Sequence, residues 1–290
     1  MGRGGRGFQH TGHGLTMMGR RRAVRTLAVL SCCALSAASV PAAAAEPAAP
    51  VETVTLCFER ANVPPWRTEQ LGGLNFELLR MVEQRLNIHF DFQSVPWKRC
   101  LAQLQANAYD GAFAVSYVPE RRALGVFPGT GSTGTGSADS AKRMHVDRYM
   151  LLRRKGSAVE WDGKALRKLQ GPVGFQLGYS VGEVLRGLHV EVDEGSQRAD
   201  ELARKLILGR LGAAAMGGSD TAAIMRGPLA AELEVLPLPL IEKPYYLVLS
   251  HGMAERRPEL AQRIWTAMAQ VRNSPAYKKI EQAALEGGNN

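Results

Sequence analysis

The spacing of apolar positions changes repeatedly along the chain, and each change marks an element. Residues 54–58 read as a first strand. Leu74, Leu78, Leu79, Val82 and Leu86 then recur at helical spacing, and Gly72-Gly73 leads into that amphipathic helix. Ile88, Phe90 and Phe92 alternate with His89, Asp91 and Gln93, the period of two that belongs to a strand. Trp97, Leu101 and Leu104 return to helical spacing, and a short apolar run over 112–115 follows the turn signal Asp110-Gly111. A β-α-β-α-β order requires crossover connections, which are right-handed and build a parallel sheet.

A tract of Gly, Ser and Thr over 129–140 interrupts this pattern and has too little apolar surface to bury a core. A second alternation succeeds it. Strands are expected over 148–152, 173–176, 189–192 and 212–215, with helices over 182–188 and 197–208, the latter capped by Ser196. A short helix from about Thr221, strands over 233–236 and 245–249, and helices over 258–271 and 275–285 complete the chain. Each of the last two has a proline near its start. The expectation is an α/β protein of two lobes, each a mostly parallel sheet flanked by helices. Residues 46–145 and 244–290 form the first lobe and 146–243 the second, with two hinge crossings near 142–148 and 242–246. Small ligands of such folds sit in the cleft between the lobes.

Residues 1–45 stand apart from this organisation. Arg20-Arg21-Arg22 and Arg25 precede a short apolar run over 27–38, and small residues lead to Ala45. This is the form of a secretory signal cleaved near Ala45. The apolar run is too short to span a bilayer, so no membrane insertion is expected once the signal is removed. The leader carries six arginines and no acid; without it the formal charge falls from +9 to +3. The basic excess thus belongs to the leader, which removes the electrostatic case for a nucleic-acid partner. Cys57 and Cys100 remain after cleavage. An exported setting favours a disulfide between them over two separate buried thiols. Two cysteines without matching histidine spacing give no metal site, and nothing in the chain calls for a cofactor.

The segment 96–128 carries the strongest chemical signal. Trp97, Leu101, Asn107-Ala108-Tyr109-Asp110, Ser116, Glu120-Arg121 and Phe127 follow one another in a fixed register. A buried strand that delivers a serine and an arginine to its carboxyl end is suited to an anion, because a planar guanidinium meets two carboxylate oxygens with parallel N–H donors. This register resembles the extracytoplasmic solute-binding proteins of polar amino-acid uptake systems, solute-binding family 3, over about 54–284. The resemblance implies that Arg121 grips a ligand carboxylate with Ser116. It implies that the turn Gly178-Tyr179-Ser180 adds contacts from the second lobe. Trp66, after Pro64-Pro65, and Trp97 would offer aromatic faces, while Glu77 would be structural and Arg122 a surface residue. Two departures stand out: Pro119 replaces a common threonine, and Gly217 or Gly218 stands where amino-acid binders carry an aspartate. Asp220 is the nearest acid and would have to reach the cleft from the following turn.

Two competing motifs are weaker. Gly178-Tyr179-Ser180-Val181-Gly182 matches the nucleophile elbow G-x-S-x-G, with Asp220 and His251 following in hydrolase order, but no oxyanion segment accompanies it. Gly129 to Gly134 spells G-x-G-x-x-G without a following amphipathic helix, so it is a loop. The expected function is periplasmic capture of a small polar, carboxylate-bearing solute for an inner-membrane ABC permease, without catalysis. The alternatives are an enzyme resembling cyclohexadienyl dehydratase, using Glu59 or Asp220, and a sensor or interaction domain that no longer binds small molecules.

Overall fold

The computed structural model describes residues 51–131 and 136–287. The expected signal segment and part of the Gly/Ser/Thr tract lie outside the described residues. Strand β1 (Glu52–Glu59) leads to α1 (Leu74–Leu86), β2 (Ile88–Val95), α2 (Trp97–Gln105) and β3 (Gly111–Ser116). Strand β4 (His145–Arg154) precedes a two-stranded ribbon, β5 (Glu160–Trp161) and β6 (Leu166–Arg167). Next come β7 (Val173–Gln176), α3 (Val181–Gly187), β8 (Val192–Ser196), α4 (Ala199–Ile207), β9 (Ala213–Gly217) and α5 (Gly218–Arg226). The chain ends with β10 (Leu233–Val235), β11 (Ile241–Leu249), α6 (His251–Arg256), α7 (Pro258–Arg272) and α8 (Pro275–Gly287).

One curled sheet runs in the order β2-β1-β3-β11-β4-β9-β7-β8, with β10 also on β4. The outer pairs on each side are parallel, as the crossover order requires. The two long central strands are antiparallel to their neighbours, and each changes partner along its length. Tyr245 to Leu249 of β11 pair with β3, whereas Ile241 to Tyr245 pair with β4. On β4, His145 to Tyr149 face β11 and Tyr149 to Leu152 face β9. These two strands thus carry the chain between the β2-β1-β3 and β9-β7-β8 sides of the sheet, where the hinge crossings are expected.

The buried apolar residues sort accordingly. Phe58, Phe76 and Phe113 pack with Ile264, Trp265 and Tyr277, so α7 and α8 return to the first lobe. Stacked and edge-on rings tie Phe113 to Phe58, Phe76 and Phe92; such ring pairs add about 0.5–1.5 kcal/mol each beyond area burial. Leu151, Phe175, Leu185 and Ala213 form a core on one side of the second-lobe sheet, and Leu152, Leu202, Leu206 and Met216 form one on the other. All five residues of β9 are buried, which explains its small, uniformly apolar sequence. Cys57 on β1 and Cys100 on α2 are joined by a disulfide with a Cα separation of 5.6 Å.

Two expectations shift in register. The strand expected over 189–192 lies at Val192–Ser196, because His189 (φ 56°) adopts a left-handed turn after α3. Ser196 therefore closes a strand instead of capping α4, whose N-cap is Arg198. Helix α5 starts at Gly218, three residues before Thr221, and follows β9 without a loop.

Candidate functional site

A cavity of about 50 Å³ lies where the hinge strands meet the carboxyl ends of β1, β3 and β9. Its wall draws Glu59, Trp66, Trp97, Ser116 and Arg121 from the first lobe, and Ser180, Gly217 and Asp220 from the second. His145, Asp147, Tyr149 and Tyr245 come from the hinge strands.

The cationic end is built on β3. Ala114 (φ 56°) sits in a bulge where the pairing with β11 slips between Tyr246 and Val248. The extra residue bends the strand end and presents Ser116 and the following 3-10 turn, Pro119–Ala123, to the cavity. Arg121 is 7 % exposed. Its Nη1 donates to Ser116 O at 3.0 Å and Ser116 Oγ at 3.1 Å, and its Nη2 donates to Gly178 O at 2.8 Å. The guanidinium lies 5.8 Å from the Trp97 ring centre, and Trp97 Nε1 donates to the same Gly178 carbonyl at 3.2 Å. Burial pulls the Arg121 pKa down, yet guanidinium stays charged in proteins. Ser116 Oγ and Ser180 Oγ are 2.6 Å apart, and Lys243 Nζ donates to Ser180 Oγ at 3.2 Å. Burial, then the field of Arg121, bring Lys243 down to about 8.

The second-lobe turn meets the first lobe through the carbonyl of Gly178. The N–H of Gly178 donates to Glu194 Oε1 at 2.9 Å, because β8 carries that carboxylate alongside the turn. Gly178 contributes its carbonyl instead, to Arg121 and Trp97.

The acidic end is built around β9 and α5. Asp220, in the first turn of α5, is 8 % exposed and lines the cavity, so the acid does reach the cleft from beyond the two glycines. Burial pushes it up to about 6, against the lowering influence of Arg67 and of a hydrogen bond from Gln176. Asp147 on β4 joins it and is also raised to about 6, chiefly by burial and partly by Asp220. Burial raises Glu59 as well, against Arg67, whose Nε donates to Glu59 O at 3.1 Å. The phenols of Tyr149, Tyr179 and Tyr245 are pushed up by burial and stay neutral.

Trp66 stacks on His145 at 4.0 Å, and His145 stacks on Tyr245 at 4.9 Å. One face of Trp66 is thus covered by the protein's own imidazole, which burial and Arg67 hold neutral with a pKa of about 3. The seven residues expected at the site therefore fall in two groups. Trp66, Trp97, Ser116, Arg121, Ser180 and Asp220 line one cavity, while Gly178 stands behind Arg121. Arg67, His145, Asp147, Tyr149 and Tyr245 carry no local sequence signal; they arrive through the register of the hinge strands and the loop after β1. The hydrolase triad is not assembled, since the ring of exposed His251 meets Arg122 O while Ser180 bonds Ser116 and Lys243. Among the described residues no cluster of three or more His, Cys, Asp or Glu could hold a metal ion.

Residues 55–286 match the family model of the bacterial extracellular solute-binding proteins, family 3. The chain belongs to that family. No curated protein matches it in sequence. Among solved structures, a histidine kinase sensor domain with similarity to periplasmic binding proteins is 19 % identical, with a TM-score of 0.64 over 81 % of this chain and 96 % of that one. The arginine-, lysine-, histidine-binding protein ArtJ from the thermophilic bacterium Geobacillus stearothermophilus is 18 % identical, with a TM-score of 0.62 over 80 % and 95 %. An ancestral amino acid-binding protein described as a precursor of cyclohexadienyl dehydratase is 16 % identical, with a TM-score of 0.59 over 80 % and 94 %. Identities this low establish the two-lobed fold alone. No helix among the described residues is long and apolar enough to cross a membrane.

Proposed function

We propose that this solute-binding protein is periplasmic and captures a small amino-acid-like solute between its lobes, without catalysis, for an inner-membrane ABC permease. The observation that carries this reading is Arg121, a buried guanidinium that lines the cavity and bridges Ser116 of one lobe to Gly178 of the other. It commits three of its five N–H donors to the protein and leaves two, the number a bidentate carboxylate takes. Residues 1–45 act as the export signal. The lobes divide at the partner switches of β4 and β11, so 46–145 with 244–290 move against 146–243. Trp97 and Ser180 complete the carboxylate end, and Trp66 closes the side of the cavity with His145.

Thermal-shift screening of the mature protein against L-amino acids, dicarboxylates and polyamines tests the reading. A ligand-dependent rise in melting temperature that is lost in Arg121→Met supports it; a folded protein that responds to none overturns it. A second reading is favoured by Glu59 and Asp220, two cavity carboxyls with raised pKa, the condition for a general acid. Turnover of cyclohexadienyl substrates that disappears in Asp220→Asn would establish it in place of the first.

A further inference from the structure

At the position where the family's amino-acid binders carry one aspartate, this chain has glycine, and two other carboxylates close on the space. A Cβ built on Gly217 would lie 3.5 Å from Asp147 Oδ2 and 3.8 Å from Asp220 Oδ2. Both acids are therefore within contact of one point on the cavity wall. They come from different elements. Asp220 rides on the first turn of α5, directly after β9. Asp147 lies two residues before Tyr149, which pairs opposite Gly217, so alternation puts Asp147 and Tyr149 on the same face of β4. A side chain at Gly217 would touch both carboxylates at ordinary van der Waals distance.

Independent signs of a donor-bearing ligand sit beside this pair. Gln176 is 2 % exposed; its amide bonds Asp220, yet its Oε1 has no partner. His145 is 5 % exposed and lines the cavity, and its Nδ1 is likewise without a partner. Buried polar atoms left unpaired are costly, and an N–H donor from a solute in the cavity would satisfy His145 Nδ1 in the tautomer that leaves its lone pair free.

Building on the solute-binding reading above, we propose that Asp147 and Asp220 together form a composite cation subsite over Gly217. The pair holds a protonated nitrogen of the solute, and capture expels a proton to solvent. The charge balance follows from the surroundings. Arg67 faces Asp220 without offsetting its burial, and Arg148 and the Ser219 N–H face Asp147 with the same result. Glu59 brings a third carboxyl to the wall from the end of β1. From β11, Lys243 pairs opposite Asp147 but turns its ammonium to Ser180. Arg121 closes the opposite end, and His145, Tyr149, Tyr179 and Tyr245 are neutral. Two acids raised to about 6 share protons near that pH. An incoming cation favours both ionised forms, so a proton leaves as the solute binds.

The decisive experiment uses the L-amino acid with the largest thermal shift, titrated calorimetrically together with its 2-hydroxy acid, which lacks the ammonium. Titrations run at pH 5, 6 and 7.5, each in two buffers of different ionisation enthalpy. The expected results are release of about one proton per solute at pH 6 and an affinity at least tenfold higher at pH 7.5 than at pH 5. The 2-hydroxy acid should bind at least tenfold more weakly. Asp147→Asn and Asp220→Asn should each weaken binding tenfold or more and remove the proton release. The proton count on the unmodified protein stands even where a variant fails to fold. Equal binding of amino and hydroxy acid, no proton release at pH 6, or wild-type affinity in folded Asp147→Asn each overturns the composite subsite while leaving solute capture in place. Silence across the whole panel overturns solute capture and the subsite with it.

Discussion

Replacing Gly178 by alanine tests whether the cavity is formed by lobe closure. Gly178 has φ 77°, and an added Cβ would lie 3.2 Å from Lys98 Cγ and 3.3 Å from Trp97 Cδ1, both in the first lobe. Two costs arise, and only one of them concerns closure. The left-handed backbone disfavours any L side chain by about 1–2 kcal/mol, but that strain belongs to the turn itself and is the same whether the lobes are open or closed. The contact with Trp97 exists only when the lobes meet. Lys98 is exposed and can swing aside; Trp97 is 7 % exposed and pinned by its own hydrogen bond to the Gly178 carbonyl. Relief requires the lobes to part by a few tenths of an ångström. That stretches the bonds from Trp97 and Arg121 to Gly178 O, worth about 1 and about 1.5–3 kcal/mol when intact.

Losing part of both costs the closed form about 1–2.5 kcal/mol, a roughly 5- to 70-fold weaker dissociation constant. Gly156 supplies the control, because it has the same φ of 77° with nothing within 4 Å of an added Cβ. Gly156→Ala should lower the melting temperature with unchanged solute affinity. Gly178→Ala should lower both, and its solution scattering in the presence of solute should stay closer to the ligand-free curve. Equal affinity in the two variants would show that the Gly178 contact plays no part in closure.

Three other outcomes follow from the same geometry. Cys57→Ser/Cys100→Ser opens a loop of 43 residues and should lower unfolding stability by about 4 kcal/mol in the chain-entropy model, measured by urea denaturation. Arg121→Lys keeps the charge but loses the planar fork, so binding of the solute found by screening should weaken about 100-fold with little change in fold by circular dichroism. Asp220, raised to about 6 in the folded state, binds more protons folded than unfolded across pH 4 to 6, so it destabilises the protein as pH rises through that window. Asp220→Asn should therefore gain on the order of 3 kcal/mol relative to wild type between pH 4 and pH 8 without ligand; identical pH profiles would refute the raised pKa.

How far the sequence revealed all this depends on where each signal resides. Strands such as β2 and β9, and helices such as α1 and α7, are legible because one buried face or two impose a period on neighbouring residues. Ser116 and Arg121 are legible because a bulged strand end and a short turn fix them within six positions. Asp147 and His145 are not, since their place depends on β4 pairing with β11 so that His145 faces Tyr245 and Asp147 faces Lys243. A one-residue slip would turn both away from the cavity. The misplaced β8 has a related cause: the left-handed turn at His189 delays the strand, and nothing in the side chains of that stretch announces it. Asp220 lies in between: it is legible as an acid near the expected position, but its place on the wall depends on α5 starting at Gly218 directly after β9.

The two ends of the cavity differ in how their polar groups are satisfied, and that difference assigns them different tasks. At the cationic end, Arg121, Ser116, Ser180, Lys243 and the Gly178 carbonyl already pair with one another across the lobes. Only the two N–H donors left on Arg121 await a partner there, so on the proposed reading these contacts stabilise the closed form for any solute that adds a carboxylate. At the acidic end, His145 Nδ1 on the cavity wall and Gln176 Oε1 beside Asp220 lack partners, and two carboxylates lie within van der Waals reach of one point at Gly217. Those groups gain only from a solute that brings donors and positive charge. A ligand shifts a conformational equilibrium only by its differential affinity for the two states. On the proposed reading, selection among solutes therefore belongs to the acidic end. Exchanging Gly217 for alanine, which fills the point where Asp147 and Asp220 meet, should alter the ranking of amino acids against their deaminated analogues more than Ser180→Ala does. A ranking that responds to Ser180→Ala and ignores the Gly217 change would reverse the assignment.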